Sequence, residues 1–267
     1  MQKRNLKILA IGNSFSQDAA RYLQPMAWYS GQRIKIVNLY IGGCSLESHW
    51  NNVQSNARVY DHEINGMAAD QKCSIGQALQ EDEWDIVTLQ QASGDSGMEK
   101  SYQPYLRRLS EYVNALAPQA QPWIHQTWAY ELDSTHPHFA RYDGQIGMYQ
   151  ALCRCYCKAA SEIRANIIPV GDVIQSLRAE KPFSFSKGGL SLCRDGFHLS
   201  FNYGRYTAAA TWLYALTGVL PEKHFQPSEG DPVSQENLEL IRKTVYTVCN
   251  RTNATRFIQW SRSLYRP

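Results

Sequence analysis

Ile8-Leu9-Ala10-Ile11-Gly12-Asn13-Ser14-Phe15-Ser16 is an apolar, β-type run that breaks at a glycine into a short polar turn. A run without polar alternation suits a strand covered on both faces, and a helical pattern begins a few residues later, near Asp18. A buried strand feeding a helix is the opening half of a βαβ unit. The same kind of run recurs down the chain: after Lys7 to Ile11 come Ile34 to Leu39, Asp85 to Leu89, Pro122 to Gln126 and Ile167 to Val170. Helical patterns lie at Asp18 to Tyr29, Tyr102 to Leu116 and Gly147 to Ala165, then at Tyr203 to Leu216 and Gln235 to Thr247 beyond the last strand. This alternation predicts an α/β fold with a five-stranded parallel sheet. Right-handed crossovers put the carboxyl ends of such strands on one edge, so the loops after them share one crevice.

Composition narrows the function classes. The chain has 267 residues, 43% hydrophobic and 19% charged, as expected of a globular protein. We read residues 1–267 as one domain, with a core over about 7–217 and C-terminal helices over about 218–267. A formal charge of +3 with scattered Lys and Arg gives no phosphate-neutralising stripe, so nucleic acid is set aside as a partner. No apolar stretch approaches the ~20 residues of a membrane span, and the early strand leaves no room for a leader. Seven cysteines without zinc spacing favour a reducing compartment and no metal. Cys153 and Cys157 share a helical face while Cys155 points away, so these three do not form a ligand set. The chain as given therefore reads as soluble and cytoplasmic, an exported form stripped of a leader being the alternative; its oligomeric state is not encoded in any pattern.

Chemistry concentrates at two places. Ser14 follows the first strand, with the N-terminal amides of the next helix near it, which is a position for a nucleophile or for a helix cap. Asp195-Gly196-Phe197-His198 places a carboxylate and an imidazole three residues apart, close enough for the acid to hold one ring nitrogen while the other faces a serine. Two further segments end at the same edge: Ile41-Gly42-Gly43-Cys44 after the second strand and Gln90-Gln91 after the third. A glycine N–H or a glutamine amide there supplies a donor to an oxyanion, each worth roughly 3 kcal/mol of barrier.

In order and spacing, Gly12-Asn13-Ser14-Phe15-Ser16, Gly42-Gly43, Gln90-Gln91 and Asp195-Gly196-Phe197-His198 resemble the four blocks of the SGNH (GDSL-like) hydrolases, in an uncharacterised bacterial branch. The resemblance spans about Lys7 to Leu216. It implies a three-layer α/β/α flavodoxin-like sandwich, no cofactor and no metal, and ester hydrolysis through an acyl-serine. Ser14 would be the nucleophile, His198 the base and Asp195 its orienting partner. Ser14 N–H and Gly43 N–H would form the oxyanion hole. The family's third donor, an asparagine in a Gly-x-Asn block, is missing here. Gln91 stands in for it by alternation two residues past Leu89, with Gln90 the alternative.

Asn13 replaces the acidic residue of Gly-Asp-Ser and, with Trp128 and Tyr130 near the end of the fourth strand, is assigned to substrate binding. Aromatic walls suit sugar rings, although packing is the commoner role of such residues. His125 lies at the same edge. His136 and His138 read as solvated loop histidines, and Asp61-His62-Glu63 as an exposed trio. The segments Ser45 to Gln80 and Tyr130 to Met148 read as long polar insertions that shape the pocket. The expected activity is hydrolysis of small acyl esters, acetyl first, on a small-molecule or carbohydrate alcohol. The competing expectation is a carbohydrate-binding module without catalysis.

Overall fold

The computed structural model describes residues 5–264. Its strands are β1 (Leu6–Gly12), β2 (Ile34–Tyr40), β3 (Tyr60–Ile64), β4 (Met67–Cys73), β5 (Ile86–Leu89), β6 (Gln121–His125) and β7 (Asn166–Ile168). They form one sheet in the order β4-β3-β2-β1-β5-β6-β7. The helices are α1 (Ser14–Ala20), α2 (Leu23–Tyr29), α3 (Leu46–Gln54), α4 (Ile75–Glu81), α5 (Tyr105–Leu116), α6 (Gly144–Glu162), α7 (Val170–Arg178), α8 (Tyr203–Thr217) and α9 (Gln235–Leu264).

β1 pairs in parallel with β2 and β5, and β5, β6 and β7 continue in parallel. Ile8, Leu9, Ala10 and Ile11 are all buried, as a central strand with helices on both faces requires. α8 packs against α1, α2, α7 and α9, while α3, α4 and α5 pack on one another and α6 lies against β6 and β7. The parallel strands alone run β2-β1-β5-β6-β7, the flavodoxin-like order, whose direction reverses between β1 and β5. Ligand crevices form at the carboxyl ends of the strands at such a reversal.

The sheet has seven strands among the described residues, not five. The five expected strands are present, and β3 and β4 add an antiparallel hairpin to the free edge of β2. Asn65 and Gly66 close that hairpin with positive φ at both positions, 53° and 80°, the backbone of a two-residue Asn-Gly turn. The supposed insertion from Ser45 to Gln80 is thus α3, β3, β4 and α4. An irregularity in the β3–β4 register between Asp61 and Glu63 breaks strict alternation and corrects the reading of the Asp61-His62-Glu63 trio. Asp61 pairs with Lys72 and His62 with Glu81, but Glu63 turns inward, 5% exposed, and accepts from Asn38 Nδ2 at 2.7 Å.

A Cβ at position 66 would sit 2.9 Å from the Arg21 carbonyl oxygen, on a backbone that L side chains disfavour. Gly66→Ala is expected to cost about 2 kcal/mol, seen as a lower urea midpoint with an unchanged slope.

The expected helix from Asp18 to Tyr29 is two short ones, α1 and α2, and α7 follows β7 where a longer strand was expected. Leu238, Ile241, Val245 and Val248, on the inner face of α9, are buried in the core.

Candidate active site

α1 begins at Ser14, directly after β1. Asn13 caps it: its Oδ1 accepts from Phe15 N–H at 3.0 Å, and Ser16 Oγ accepts from Asn13 N–H at 3.1 Å. This reciprocal cap fixes the turn sharply enough that position 12 admits only glycine, because a Cβ there would lie 2.3 Å from Ser16 Oγ. Ser14 is held at the head of the helix, half-buried, with its side chain turned to His198.

The residues from Arg194 to His198 form a tight loop closed by Arg194 N–H to His198 C=O at 2.9 Å. Gly196 supplies a φ of 83° at a point where a Cβ would meet the Ser134 backbone at 2.8 Å. Two bonds pin the loop to the segment after β6: Glu131 N–H to Gly196 C=O at 2.7 Å and Trp128 Nε1–H to Phe197 C=O at 2.7 Å. His198 Nε2 then lies 2.9 Å from Ser14 Oγ, and His198 Nδ1 lies 2.7 Å from Asp195 Oδ2. The other carboxylate oxygen accepts from the N–H groups of His198 and Phe197, at 2.7 and 3.2 Å. Partial burial works against the Asp195 charge, but the bonds from the His198 ring and the two backbone N–H groups prevail and hold its carboxyl below the usual range. An ionised Asp195 keeps the His198 proton on Nδ1 and leaves Nε2 free to accept from the serine.

The Gly42-Gly43-Cys44 loop leaves β2 beside this turn, since Gly12 pairs with Tyr40 and Asn13 Nδ2 donates to Cys44 C=O at 3.0 Å. Gly43 is exposed, and its φ of 64° suits glycine. The Cys44 thiol is no rival nucleophile, because burial pushes its pKa up to about 12.

Other candidates are placed differently from expectation. Gln91 is buried with its amide committed: Nε2 donates to Ser101 C=O and Oγ at 2.9 and 3.0 Å, and Oε1 accepts from Leu46 N–H at 3.0 Å. Gln91 therefore anchors α3 and offers no hydrogen to an oxyanion. Gln90 donates to Asn13 Oδ1 at 2.8 Å. Asn13, Trp128 and Tyr130 are all buried, so none presents a face to substrate. Trp128 stacks on Phe15 at 4.1 Å between ring centres, and Tyr130 OH bonds Ser93 Oγ at 2.8 Å; both support the loops around the crevice. His136 is packed, its ring 4.9 Å from Phe197 and 5.2 Å from His138. Among the described residues no group of three or more His, Cys, Asp or Glu is placed to hold a metal ion. No described helix is long and apolar enough to cross a membrane.

One constellation escaped the sequence reading. Asp18, fully buried on α1, accepts from Arg194 Nη1 at 3.0 Å, Arg205 Nε at 2.8 Å and Leu199 N–H at 2.9 Å. Arg205 continues to Glu229 at 2.5 Å, and Glu229 also pairs with Arg21. This network ties α1, which carries Ser14, to the loop that carries Asp195 and His198. Its one sequence signal is Arg205 in the largely apolar stretch of α8.

A family model described as Domain of unknown function (DUF4886) matches residues 7–248. A solved DUF4886 family protein from Bacteroides uniformis is 34% identical, covers 91% of this chain and 94% of its own, and superposes with a TM-score of 0.81. A protein from Slackia heliotrinireducens assigned as an SGNH hydrolase is 22% identical over 79% of this chain and 98% of its own, with a TM-score of 0.57. An acetylxylan esterase from Geobacillus stearothermophilus is 14% identical over 79% and 94%, with a TM-score of 0.51. At these lower identities the likeness is one of fold. No curated protein sequence matches the chain.

Proposed function

The chain belongs to the DUF4886 family and has the SGNH hydrolase fold, and from that premise we propose that it is a serine esterase. The observation that carries the reading is the unbroken hydrogen-bonded chain from Ser14 Oγ through His198 to Asp195. In this mechanism Ser14 Oγ attacks the ester carbonyl as its proton passes to His198 Nε2, and Asp195 stabilises the imidazolium that forms. The tetrahedral oxyanion is received by the backbone N–H groups of Ser14 and Gly43. His198 returns the proton to the departing alcohol, and water repeats the sequence on the acyl-serine.

The acyl group we propose is small, acetyl in the first instance. For the alcohol we propose O-acetylated carbohydrate, the class acted on by the acetylxylan esterase that shares the fold. The buried Trp128 and Tyr130 provide no sugar platform, so carbohydrate contacts must come from exposed residues of the crevice rim.

A fluorophosphonate probe tests the assignment, read by peptide mass spectrometry beside p-nitrophenyl acetate turnover. The expected result is a single adduct on Ser14, absent in Ser14→Ala and strongly slowed in His198→Ala. A folded protein with no adduct and no turnover would overturn the esterase reading and favour a binding module on the same fold.

A further inference from the structure

Behind the nucleophile turn, a row of polar groups fix one another's orientation in sequence. Phe15 N–H only donates and Cys44 C=O only accepts, so Asn13 must present Oδ1 to the first and Nδ2 to the second, each at 3.0 Å. Gln90 meets that same Oδ1 at 2.8 Å and must therefore donate from Nε2. Its Oε1 is left facing His125 Nδ1 at 2.7 Å, which obliges His125 to carry its proton on Nδ1. His125 is fully buried, between Trp128 and Trp212, and its Nε2 has no hydrogen-bond partner among the described residues. A buried imidazole with one nitrogen unpaired is a costly core residue, and an aliphatic side chain would fill the space without that penalty. What an aliphatic side chain lacks is the Nδ1–H.

We infer that His125, acting through Gln90, is a positioning residue that locks the Asn13 amide and so sets the separation of the Ser14 and Gly43 N–H groups. Asn13 is the link between the two: its Oδ1 holds the start of α1, and its Nδ2 holds the loop that ends in Cys44. Break the bond from His125 and Gln90 is free to turn its amide over; an inverted Gln90 presents Oε1 to Asn13 Oδ1, and two acceptors cannot share that position. The Asn13 amide then loses its fixed orientation, and the two loops lose their tie. The inference rests on the esterase reading for its effect on rate, but the orientation of Asn13 is measurable without any substrate.

An oxyanion hole acts on the transition state and hardly on bound ester, so the effect belongs in kcat rather than KM. For His125→Leu we expect kcat on p-nitrophenyl acetate to fall about 100-fold with KM within about twofold of wild type. Affinity for a boronate transition-state analogue should fall in parallel. His125→Asn, whose amide can place an N–H close to that of Nδ1, should recover most of the rate. Gln90→Met breaks the next link and should reproduce the leucine variant, which serves if His125→Leu fails to fold. In all three, hydrogen exchange at the Phe15 amide reports on Asn13 directly: faster in His125→Leu and Gln90→Met, close to wild type in His125→Asn. Wild-type kcat and wild-type Phe15 exchange in both breaking variants would overturn the inference while leaving the esterase reading intact. If the wild type neither hydrolyses esters nor labels, the esterase reading fails; the exchange data alone then decide whether the relay orients Asn13, and unchanged exchange removes it.

Discussion

His198→Ala is expected to lower kcat for ester hydrolysis by about four to six orders of magnitude, and Ser14→Ala by a similar factor. In the proposed mechanism the two residues act as one unit. Without the imidazole, Ser14 Oγ has no acceptor for its proton at the 2.9 Å contact it now makes, and without the serine the imidazole has no nucleophile to activate. The double variant should therefore be no slower than either single one, because each substitution alone already removes the whole device. Residual rate above that of water would come from the backbone donors and from substrate binding. Asp195→Asn leaves the ring in place but offers an N–H where the ring needs an acceptor, so it should be impaired as a tautomer defect. The measurement is steady-state kinetics on p-nitrophenyl acetate with each variant, and multiplicative losses in the double variant would contradict a concerted serine and histidine.

The second large effect is on stability. His49 and His125 are completely buried, and burial lowers each pKa to about 3. In the unfolded chain both titrate near 6.5. Below that pH the unfolded state takes up protons that the folded state refuses, so stability is full at neutrality and is lost progressively as pH falls from about 6.5 towards 3. Each group contributes about 1.4 kcal/mol per pH unit in that window. Together they should remove about 4 kcal/mol between pH 7 and pH 5, a large share of an ordinary domain's stability. Urea midpoints at pH 7, 6 and 5 measure the slope. His49→Gln combined with His125→Asn removes both titrating rings and should flatten it; an undiminished slope would place the acid sensitivity elsewhere.

The parallel strands were legible because burial on both faces forces an unbroken apolar run, and five such runs stand out. β3 and β4 were not, because an edge hairpin exposes much of its surface: Asp61, Lys72 and His62 read as loop residues although they sit in strands. The Asn65-Gly66 turn was visible all the while. Glu63 defied expectation because its partners, Asn38 and Gln17, come from β2 and α1. Ser14, Asp195 and His198, which the structure brings within hydrogen-bonding distance of one another, were singled out from local spacing and from order along the chain. Gln91 was misplaced by counting alternation past the end of β5 at Leu89, beyond which the backbone no longer alternates. Trp128 and Tyr130 were legible as aromatics near the crevice, but which side of a loop meets solvent depends on Phe15, Phe197 and Ser93, all distant or on other loops. The Asp18 network was hidden for the same reason, its partners lying 176 and 187 residues away.

That distance has a consequence for the life of the chain on the ribosome. Asp18 precedes Arg205 by 187 residues, and at roughly 5–20 residues per second it waits on the order of ten to forty seconds for that guanidinium. Until Arg194, Arg205 and Glu229 arrive, a carboxylate destined for the interior has no countercharge and must stay in water, which keeps α1 from settling onto its final neighbours. His198 arrives in the same late stretch. Under the proposed mechanism Ser14 therefore waits for its base until the 184th residue after it has been made, and the nascent chain has no assembled esterase site before then.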